Sequence, residues 1–163
     1  MTDFPLSVSP AGFDEKPVVA QLLQLYLYDF TEFIPELKPG PDGLYPYAYL
    51  DLYWAPGPGE ERRPFLFRSG DELAGFALVR TVNHHHVMAE FFVLRPHRRS
   101  GLGSAAAKEV FRRLPGQWIV HEHPANRPAQ AFWRRVIGEF TGGDFSEVTE
   151  PDGAVTQRFT SRP

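Results

Sequence analysis

The sequence predicts a mixed α/β (α+β) fold, with one mostly antiparallel sheet of six or seven strands flanked by about four helices. Two observations lead to this prediction. Apolar residues recur at helical spacing near the N-terminus, and short apolar runs of strand length begin at residue 64. From residue 87 onward, segments of strand pattern and helix pattern alternate, as they do when helices pack on a single sheet.

The N-terminal third is predicted to be mainly helical. Alternation in Leu6–Ser9 predicts a first strand, and the apolar spacing of Asp14–Phe33 predicts a helix. Pro35 ends that helix, because proline lacks the N–H that a helix interior requires. The tyrosine-rich segment Pro46–Trp54 is expected to form a short helix.

A strand meander and a strand–helix unit follow. The apolar runs Pro64–Arg68 and Leu73–Thr81 are separated by a Ser-Gly-Asp-Glu turn, which predicts a hairpin. Val87–Leu94 is apolar enough for a buried strand. A helix is predicted from about Gly101 to Leu114, where Pro115 stops it.

The C-terminal third continues the alternation. Gln117–Glu122 is the next predicted strand, and Asn126 can cap a helix that runs to Ile137. Gly138 is expected to end that helix in a left-handed conformation. The tail offers two short strands, Phe145–Val148 and Ala154–Phe159.

Composition excludes several function classes. The 163 residues fit one domain, and a net charge of −3 gives no reason to expect nucleic acid or an anionic membrane as a partner. Because the chain has no cysteine, thiolate metal sites and a cysteine nucleophile are excluded. Met1–Pro10 lacks the pattern of a signal peptide, and no apolar stretch reaches the ~20 residues of a membrane span. A cytoplasmic protein is expected.

A glycine-containing loop carries the strongest chemical signal. The predicted strand ending at Leu94 leads into the pattern Arg98-x-x-Gly101-x-Gly103, and this loop opens a helix. The first turn of a helix has unpaired N–H groups and a partial positive charge, and glycines let a phosphate approach the backbone closely. Arg98 and Arg99 add positive charge. The loop is therefore predicted to bind a pyrophosphate.

Two other phosphate-binding motifs fit less well. A P-loop needs Gly-Lys-Ser/Thr, whereas Gly103 is followed by Ser104-Ala105. A dinucleotide fold has a third small residue where this chain has Ala106, but its motif follows the first strand of the fold. Here a hairpin precedes the motif, which argues against that fold.

Two segments resemble the signatures of the GCN5-related N-acetyltransferase (GNAT) family. Val93–Ser104 is similar to the family's coenzyme A motif. Asn126–Phe140 resembles its second signature, Asn-x-x-Ala-x-x-Phe-aromatic followed by Gly-x-Phe. The resemblance covers about residues 64–140. It implies one domain over residues 1–163, with variable acceptor-side helices at about 14–58 and a coenzyme A-binding core at about 64–140.

The resemblance implies direct transfer of an acetyl group from acetyl-coenzyme A to a primary amine, without a metal and with a homodimer as a possible assembly. The strands around Val93 and Val120 are expected to separate and admit the thioester. Asn126 is expected to hydrogen-bond the pantetheine. The implied cofactor-binding residues are Phe92, Val93, Leu94, Arg98, Arg99, Ser100, Gly101, Leu102, Gly103, Ser104, Asn126 and Trp133.

Catalytic roles are less sharply defined. Trp133 stands where the family often has a tyrosine that protonates the departing thiolate, and an indole N–H is not a useful acid. A general base is still needed, and Glu90, His121 and His123 are the candidates. Two alternatives remain open: a non-catalytic acyl-coenzyme A-binding module or sensor, and a transferase that uses another acyl-coenzyme A.

Two further clusters have more than one interpretation. His84-His85-His86 has the residue type of a metal site, but neighbouring residues of a strand point to opposite faces, so no metal is predicted. A set of aromatic residues can line an acceptor pocket or belong to the core. Its members are Tyr26, Tyr28, Tyr45, Tyr47, Tyr49, Tyr53 and Trp54.

Overall fold

The computed structural model of the protein describes residues 5–163. The stretch Met1–Pro10, expected not to be a signal peptide, lies partly outside these residues. Three α-helices occur in the described chain: α1 (Lys16–Phe30), α2 (Leu102–Arg113) and α3 (Arg127–Thr141). The seven strands are β1 (Leu6–Pro10), β2 (Glu61–Ser69), β3 (Glu72–Val82), β4 (His85–Val93), β5 (Gly116–Glu122), β6 (Ser146–Thr149) and β7 (Val155–Ser161).

All seven strands form one sheet in the order β1-β2-β3-β4-β5-β7-β6. Neighbouring strands are antiparallel except β4 and β5, which are parallel and joined through α2. A parallel pair requires such a crossover, because the chain must return to the end of the sheet where the first strand began. The predicted mixed, mostly antiparallel sheet is confirmed.

Each face of the sheet has its own apolar core. On one face, α2 and α3 cover β2 to β5 and β7, with Phe111, Trp118 and Ile137 among the fully buried side chains. On the other face, α1 packs on β2 and β3 through Val19, Leu23 and their neighbours. Burial of these apolar side chains is the main stabilising contribution to such a layered fold. No helix of residues 5–163 is long and apolar enough to cross a membrane.

The helix predictions need two corrections. Pro46–Trp54 is not a helix but contains only a 3₁₀ turn at Leu50–Tyr53. The side chain of Gln24 bonds both backbone groups of Tyr45, at 2.7 and 2.9 Å, which holds the preceding chain against α1 in a non-helical conformation.

The end of α3 also differs from the prediction. The helix continues through Gly138, and Gly142 is the residue that ends it, at φ +63°. The extra turn brings Phe140 within 5.3 Å of the Phe111 ring and 6.1 Å of the Phe159 ring, centroid to centroid. Packing of that ring therefore favours the longer helix, and the left-handed glycine lies one turn later.

A β-bulge interrupts β4 beside the parallel pair. Leu78 of β3 pairs with Glu90, whereas Val79 pairs with Met88, so Ala89 is an extra residue of β4. Because one residue is inserted, Met88 faces the α2/α3 core while Glu90 turns to the α1 face. A bulge also bends its strand and increases the local twist.

A buried carboxyl group lies at the end of β5. Glu122 is only 3% exposed, and its Oε1 accepts a 2.8 Å hydrogen bond from Gln157 Nε2. Its Oε2 is buried without a partner in the described residues. Burial raises the pKa of Glu122 to about 8, so the carboxyl is mostly protonated at neutral pH.

Replacing Glu122 with Gln is expected to flatten the pH dependence of stability. The folded-state pKa of Glu122 lies above that of the unfolded chain. The stability it contributes is therefore complete below the unfolded-state pKa and is lost as pH rises through about 8. Urea unfolding should show the wild type losing roughly 1 kcal/mol per pH unit between the two pKa values, and Glu122→Gln losing less. An unchanged slope in Glu122→Gln, equal to that of the surface control Glu109→Gln, would contradict this assignment.

Candidate active site

The parallel strands β4 and β5 separate soon after they meet. Their pairing consists of His85 with Gln117, His86 with Trp118 and Val87 with Ile119, and it stops there although β4 continues to Val93. A cavity of about 720 Å³ lies at the far end of β4, beyond its last pair with β5. It is lined from β4 by Phe91, Phe92 and Val93, and otherwise by Tyr26, Asp29, Phe30, Glu32, Phe33, Arg98, Arg99, Gly101, Gly103, Ser104, Asn126, Pro128, Ala129, Ala131, Phe132, Trp133 and Arg135.

The N-terminus of α2 forms one wall of this cavity. Gly101 caps the helix in the left-handed region, at φ +86°, where glycine is favoured. A Cβ on Gly103 would lie 3.3 Å from Val93 Cγ2, so glycine lets the helix approach β4 closely. The first-turn N–H groups of Gly103 and Ser104 have no partner inside the helix. They are hydrogen-bond donors for an anion in the cavity.

Arg98 lines the cavity and also forms contacts within the protein. Its Nε donates to the Val93 carbonyl at 2.8 Å, and its guanidinium forms a 2.9 Å ion pair with Asp29. Its own N–H is bonded to the Arg95 carbonyl at 3.1 Å. Arg98 therefore holds the loop, β4 and α1 together through its Nε and Nη2 atoms, and its backbone N–H is also bonded within the protein.

Asp29 joins α1 to the loop through two arginines. Its carboxylate pairs with Arg95 at 2.8 Å and with Arg98 at 2.9 Å. Partial burial of Asp29 acts to raise its pKa, but the hydrogen bonds from the two arginines outweigh that effect and lower it. Asp29 is consequently ionised at neutral pH and neutralises part of the loop's positive charge.

Three other predicted cofactor residues do not line the cavity. The Leu94 N–H bonds the Ala74 carbonyl of β3 at 2.7 Å, and the Leu102 side chain is buried in the α2/α3 core. Ser100 Oγ donates to the His97 carbonyl at 2.8 Å and so shapes the loop from within. Strand pairing, core packing and loop geometry account for these residues.

The N-terminus of α3 forms the opposite wall. Asn126 caps the helix, with Oδ1 accepting a 3.1 Å hydrogen bond from the Ala129 N–H, as predicted for a helix cap. Its amide NH₂ group remains available on the cavity side. Trp133 is 6% exposed, and its ring lies 4.9 Å from both the Phe91 and the Phe132 rings. The indole is thus an apolar part of the wall.

Glu90 lies on the α1 face of β4, outside the cavity wall. Tyr47 Oη donates to Glu90 Oε1 at 3.3 Å, and Tyr26, which does line the cavity, is the second phenol beside it. Burial raises the pKa of Glu90, although the hydrogen bonds from Tyr26 and Tyr47 and the charge of Arg80 oppose that rise. A carboxylate with a raised pKa can accept a proton near neutral pH.

The two predicted histidines differ in position. His121 is exposed on β5, and its Nδ1 is 2.9 Å from Thr156 Oγ1. His123 accepts a 3.1 Å hydrogen bond from the Ala125 N–H at Nδ1, which leaves Nε2 as the protonated nitrogen of the neutral ring. Its ring is 6.3 Å from that of Phe30, a cavity residue. Only His123 therefore lies beside the cavity.

The remaining sequence clusters have structural explanations. His86 Nε2 donates to the Pro115 carbonyl at 3.1 Å while Nδ1 accepts from Thr81 Oγ1. No group of three or more His, Cys, Asp or Glu residues in the described chain could hold a metal ion. Of the aromatic set, only Tyr26 and Tyr47 adjoin Glu90; Tyr28 is 62% exposed, and the Trp54 indole bonds the Ala11 carbonyl.

Sequence reasoning named Tyr26 as a possible pocket residue but missed Asp29, Phe30 and Phe33. Tyr26, Asp29 and Phe30 follow an i, i+3, i+4 spacing, which places them on one face of α1, and Phe33 lies in the turn after it. That spacing was visible in the sequence, but it does not reveal what the face contacts. Arg135 on α3 was missed for the same reason.

The sequence matches the profile of the "Acetyltransferase (GNAT) family" over residues 22–138, well over half of the chain. The chain belongs to the GNAT acetyltransferase family. Membership implies acyltransferase activity. No curated protein sequence matches this GNAT chain.

Solved GNAT structures share its fold at low sequence identity. An acetyltransferase from Thermus thermophilus is 18% identical with a TM-score of 0.66, covering 98% of this chain and 99% of that one. The ribosomal-protein-S18-alanine N-acetyltransferase from Escherichia coli is 15% identical with a TM-score of 0.62, covering 97% and 95%. PaiA N-acetyltransferase from Thermoplasma acidophilum, solved with coenzyme A, is 7% identical with a TM-score of 0.60, covering 95% and 98%.

Replacing Asp29 with Asn is expected to loosen the loop of this GNAT protein. The substitution removes the charge that holds Arg95 and Arg98, so the turn in which the His97 and Arg98 N–H groups are bonded should open more often. Hydrogen exchange of these two amides should become faster by a few-fold, because ion pairs that are largely exposed contribute little each. Glu32→Gln, in the turn just after α1, is the control. Equal exchange in Asp29→Asn and wild type would show that the ion pairs do not hold the loop.

Proposed function

We propose that the protein transfers an acetyl group from acetyl-coenzyme A to a primary amine. One observation carries the proposal: the cavity where β4 and β5 separate joins the free first-turn amides of α2 to the β4 backbone at Val93. Glu90 lies just across β4, on the face that α1 covers. An anion site, an open strand edge and a candidate base are thus adjacent. GNAT proteins solved with coenzyme A support the choice of cofactor.

The cofactor is proposed to lie between α2 and α3. Its pyrophosphate accepts hydrogen bonds from the Gly103 and Ser104 N–H groups. Its pantetheine runs along the unpaired edge of β4. The Phe92 carbonyl faces Gly75 of β3, and backbone groups of successive residues point to opposite edges of a strand. The Val93 N–H therefore points into the gap between β4 and β5. The free NH₂ group of Asn126 reaches the pantetheine from the opposite wall.

The acceptor is proposed to enter on the α1 side. An alkyl ammonium first loses a proton to Glu90, directly or through a water, which frees the nitrogen lone pair. The nitrogen then attacks the thioester carbonyl, and the Val93 N–H stabilises the oxyanion that forms. The C–S bond breaks as the carbonyl is restored. The second proton of the nitrogen goes to the thiolate or to solvent, giving an acetamide and coenzyme A.

Trp133 supplies no acid for the departing thiolate. Its indole is packed between Phe91 and Phe132, and an indole N–H does not ionise near neutral pH. A simple thiol has a pKa of about 8.5, so the thiolate can leave without a dedicated acid. Because Trp133 stands where the family often has an acidic tyrosine, a non-catalytic acyl-coenzyme A sensor is the second candidate function. That candidate predicts saturable binding with no turnover on any amine.

Ser104→Asp is expected to weaken coenzyme A binding, whereas Ser104→Asn leaves it nearly unchanged. Ser104 lies in the first turn of α2, where an aspartate stabilises the helix but repels a phosphate. Calorimetric titration should show an affinity loss of roughly tenfold or more for the aspartate variant at low salt. Because the two side chains have the same shape, the difference between them isolates the charge.

Equal coenzyme A affinities of the two Ser104 variants would show that the pyrophosphate does not bind at the α2 N-terminus. Titration of the wild type with acetyl-coenzyme A and longer acyl-coenzymes A tests the acyl group in the same experiment. Preference for a longer chain would favour a transferase of that other acyl group.

Glu90→Gln is expected to lower the transfer rate about 10²–10⁴-fold and to flatten the acid limb of the pH–rate profile. The rate requires the ionised carboxyl, so wild-type activity should rise as pH passes through the raised pKa of Glu90. Tyr47→Phe removes a hydrogen bond that lowers this pKa, so it should move the acid limb to higher pH. An unaltered profile in Glu90→Gln would exclude Glu90 as the base and leave His123 as the nearer histidine to test.

A further inference from the structure

Most lysine and arginine side chains in the described residues are neutralised by a carboxylate. Arg134, for example, pairs with Glu147 at 2.9 Å, and Lys108 pairs with Glu139 at 2.7 Å. Arg98 is among them, since Asp29 holds its guanidinium. In residues 5–163, the cations that form no ion pair are Lys38, Arg80, Arg99, Arg127, Arg135 and Arg158.

Two of these unpaired cations line the cavity. Arg99 belongs to the loop before α2 and has a left-handed backbone, at φ +60°. Arg135 lies on α3, with its guanidinium carbon 5.8 Å from the centroid of the Phe132 ring. Both arginines are exposed as well as cavity-lining, so they stand at the mouth, one on each wall. The mouth therefore carries two arginines that form no ion pair, beside the α2 amides.

A second groove offers a contrasting environment. It lies between β1 and α2, has a volume of about 640 Å³ and shares Gly101 and Ser104 with the cavity. Its cations Lys108, Arg112 and Arg113 already pair with carboxylates of Glu139 and Glu109. An anion bound there would compete with existing ion pairs, whereas an anion at the cavity mouth would not.

We propose that Arg99 and Arg135 bind the ribose 3′-phosphate of coenzyme A and thereby make the protein select coenzyme A over 3′-dephospho-coenzyme A. The proposal rests on the proposed function, in which the α2 amides hold the pyrophosphate. The 3′-phosphate is attached to the ribose next to that pyrophosphate, at the outer end of the cofactor. Guanidinium groups bind phosphate oxygens through paired N–H donors.

The stacking of Arg135 on Phe132 favours this role. A guanidinium placed against an aromatic ring loses less freedom on binding a phosphate than a free arginine does, while its edge N–H groups stay accessible. Because both arginines are exposed, solvent and salt screen their charges. The expected selectivity is therefore modest, about tenfold at low salt, and smaller at high salt.

Calorimetric titration of the full chain with coenzyme A and with 3′-dephospho-coenzyme A tests the proposal. The wild type should bind coenzyme A about tenfold more tightly at low salt. The double variant R99A/R135A should bind the two ligands with nearly equal affinity, so that the tenfold difference is lost. Arg158→Ala is the matched control, because Arg158 is also exposed and unpaired but lies on β7, away from the cavity.

Each other outcome overturns the proposal in a distinct way. Equal wild-type affinities for the two ligands would refute 3′-phosphate recognition and leave the proposed function intact. Loss of selectivity in Arg112→Ala, with selectivity retained in R99A/R135A, would place the 3′-phosphate in the groove between β1 and α2. Binding of neither ligand by the wild type would overturn the proposed function and this inference together.

Discussion

The short pairing between β4 and β5 is the constraint on which the candidate site depends. β4 pairs with β3 from His85 to Val93. When β4 bends, it keeps this pairing and therefore loses its hydrogen bonds to β5 beyond Val87. The bend begins at the bulge formed by Ala89, two residues after the last parallel pair. A bulge increases twist and redirects its strand. One extra residue in β4 thus accounts for both the end of the parallel pairing and the gap beside Val93.

The same bulge places the carboxyl group of Glu90 on the α1 face of the sheet and leaves the α2/α3 face apolar. Without it, Met88 and Glu90 would share a face, so one of the two would have to leave its present surroundings. With it, Glu90 turns toward Tyr26 and Tyr47, and the α2/α3 face stays apolar around Phe91 and Trp133. A cofactor on one face and an acceptor on the other can therefore meet at a single strand.

Arg98 links the loop before α2 to the α1 face of the sheet through its side-chain contacts. It bonds the last carbonyl of β4 and pairs with Asp29 near the end of α1, so the loop before α2 is tied both to the sheet and to the helix that covers the other face. A movement of α1 would be transmitted to the loop through this ion pair. The acceptor side and the anion-binding side of the cavity are physically linked in this way.

Periodicity and turn chemistry predicted most of the fold. The strands, α1, α2, the Asn126 cap and the glycine loop all follow from residue spacing, because local backbone preference and one-sided burial agree there. The α3 terminus was misplaced because Phe140 packing, a tertiary effect, outweighs the glycine at Gly138. The bulge at Ala89 has no local signal at all.

Site residues could be predicted from the sequence only where the backbone conformation of the residue, and not the contacts of its side chain, defines its place in the site. The loop motif identifies Gly101 and Gly103 because their conformation and lack of a side chain matter. It does not distinguish Arg98 from Arg99, since only the position of Asp29 on another element decides which arginine is neutralised. The residues of an aromatic-rich segment are likewise indistinguishable until the fold places Tyr47 against Glu90.

Charge is distributed unevenly around the cavity, and this bears on how ligands would be oriented. Arg99 and Arg135 stand unpaired at the mouth, while Glu32 lines the α1 side and Glu90 lies behind Tyr26. Although solvent screens the charges at the mouth, such a polarity favours an anionic ligand at the mouth and a cationic group on the α1 side. Asp29, between the two arginines that it neutralises, marks the boundary between these regions. A net charge of −3 does not reveal this separation, because it sums the charges without regard to their positions.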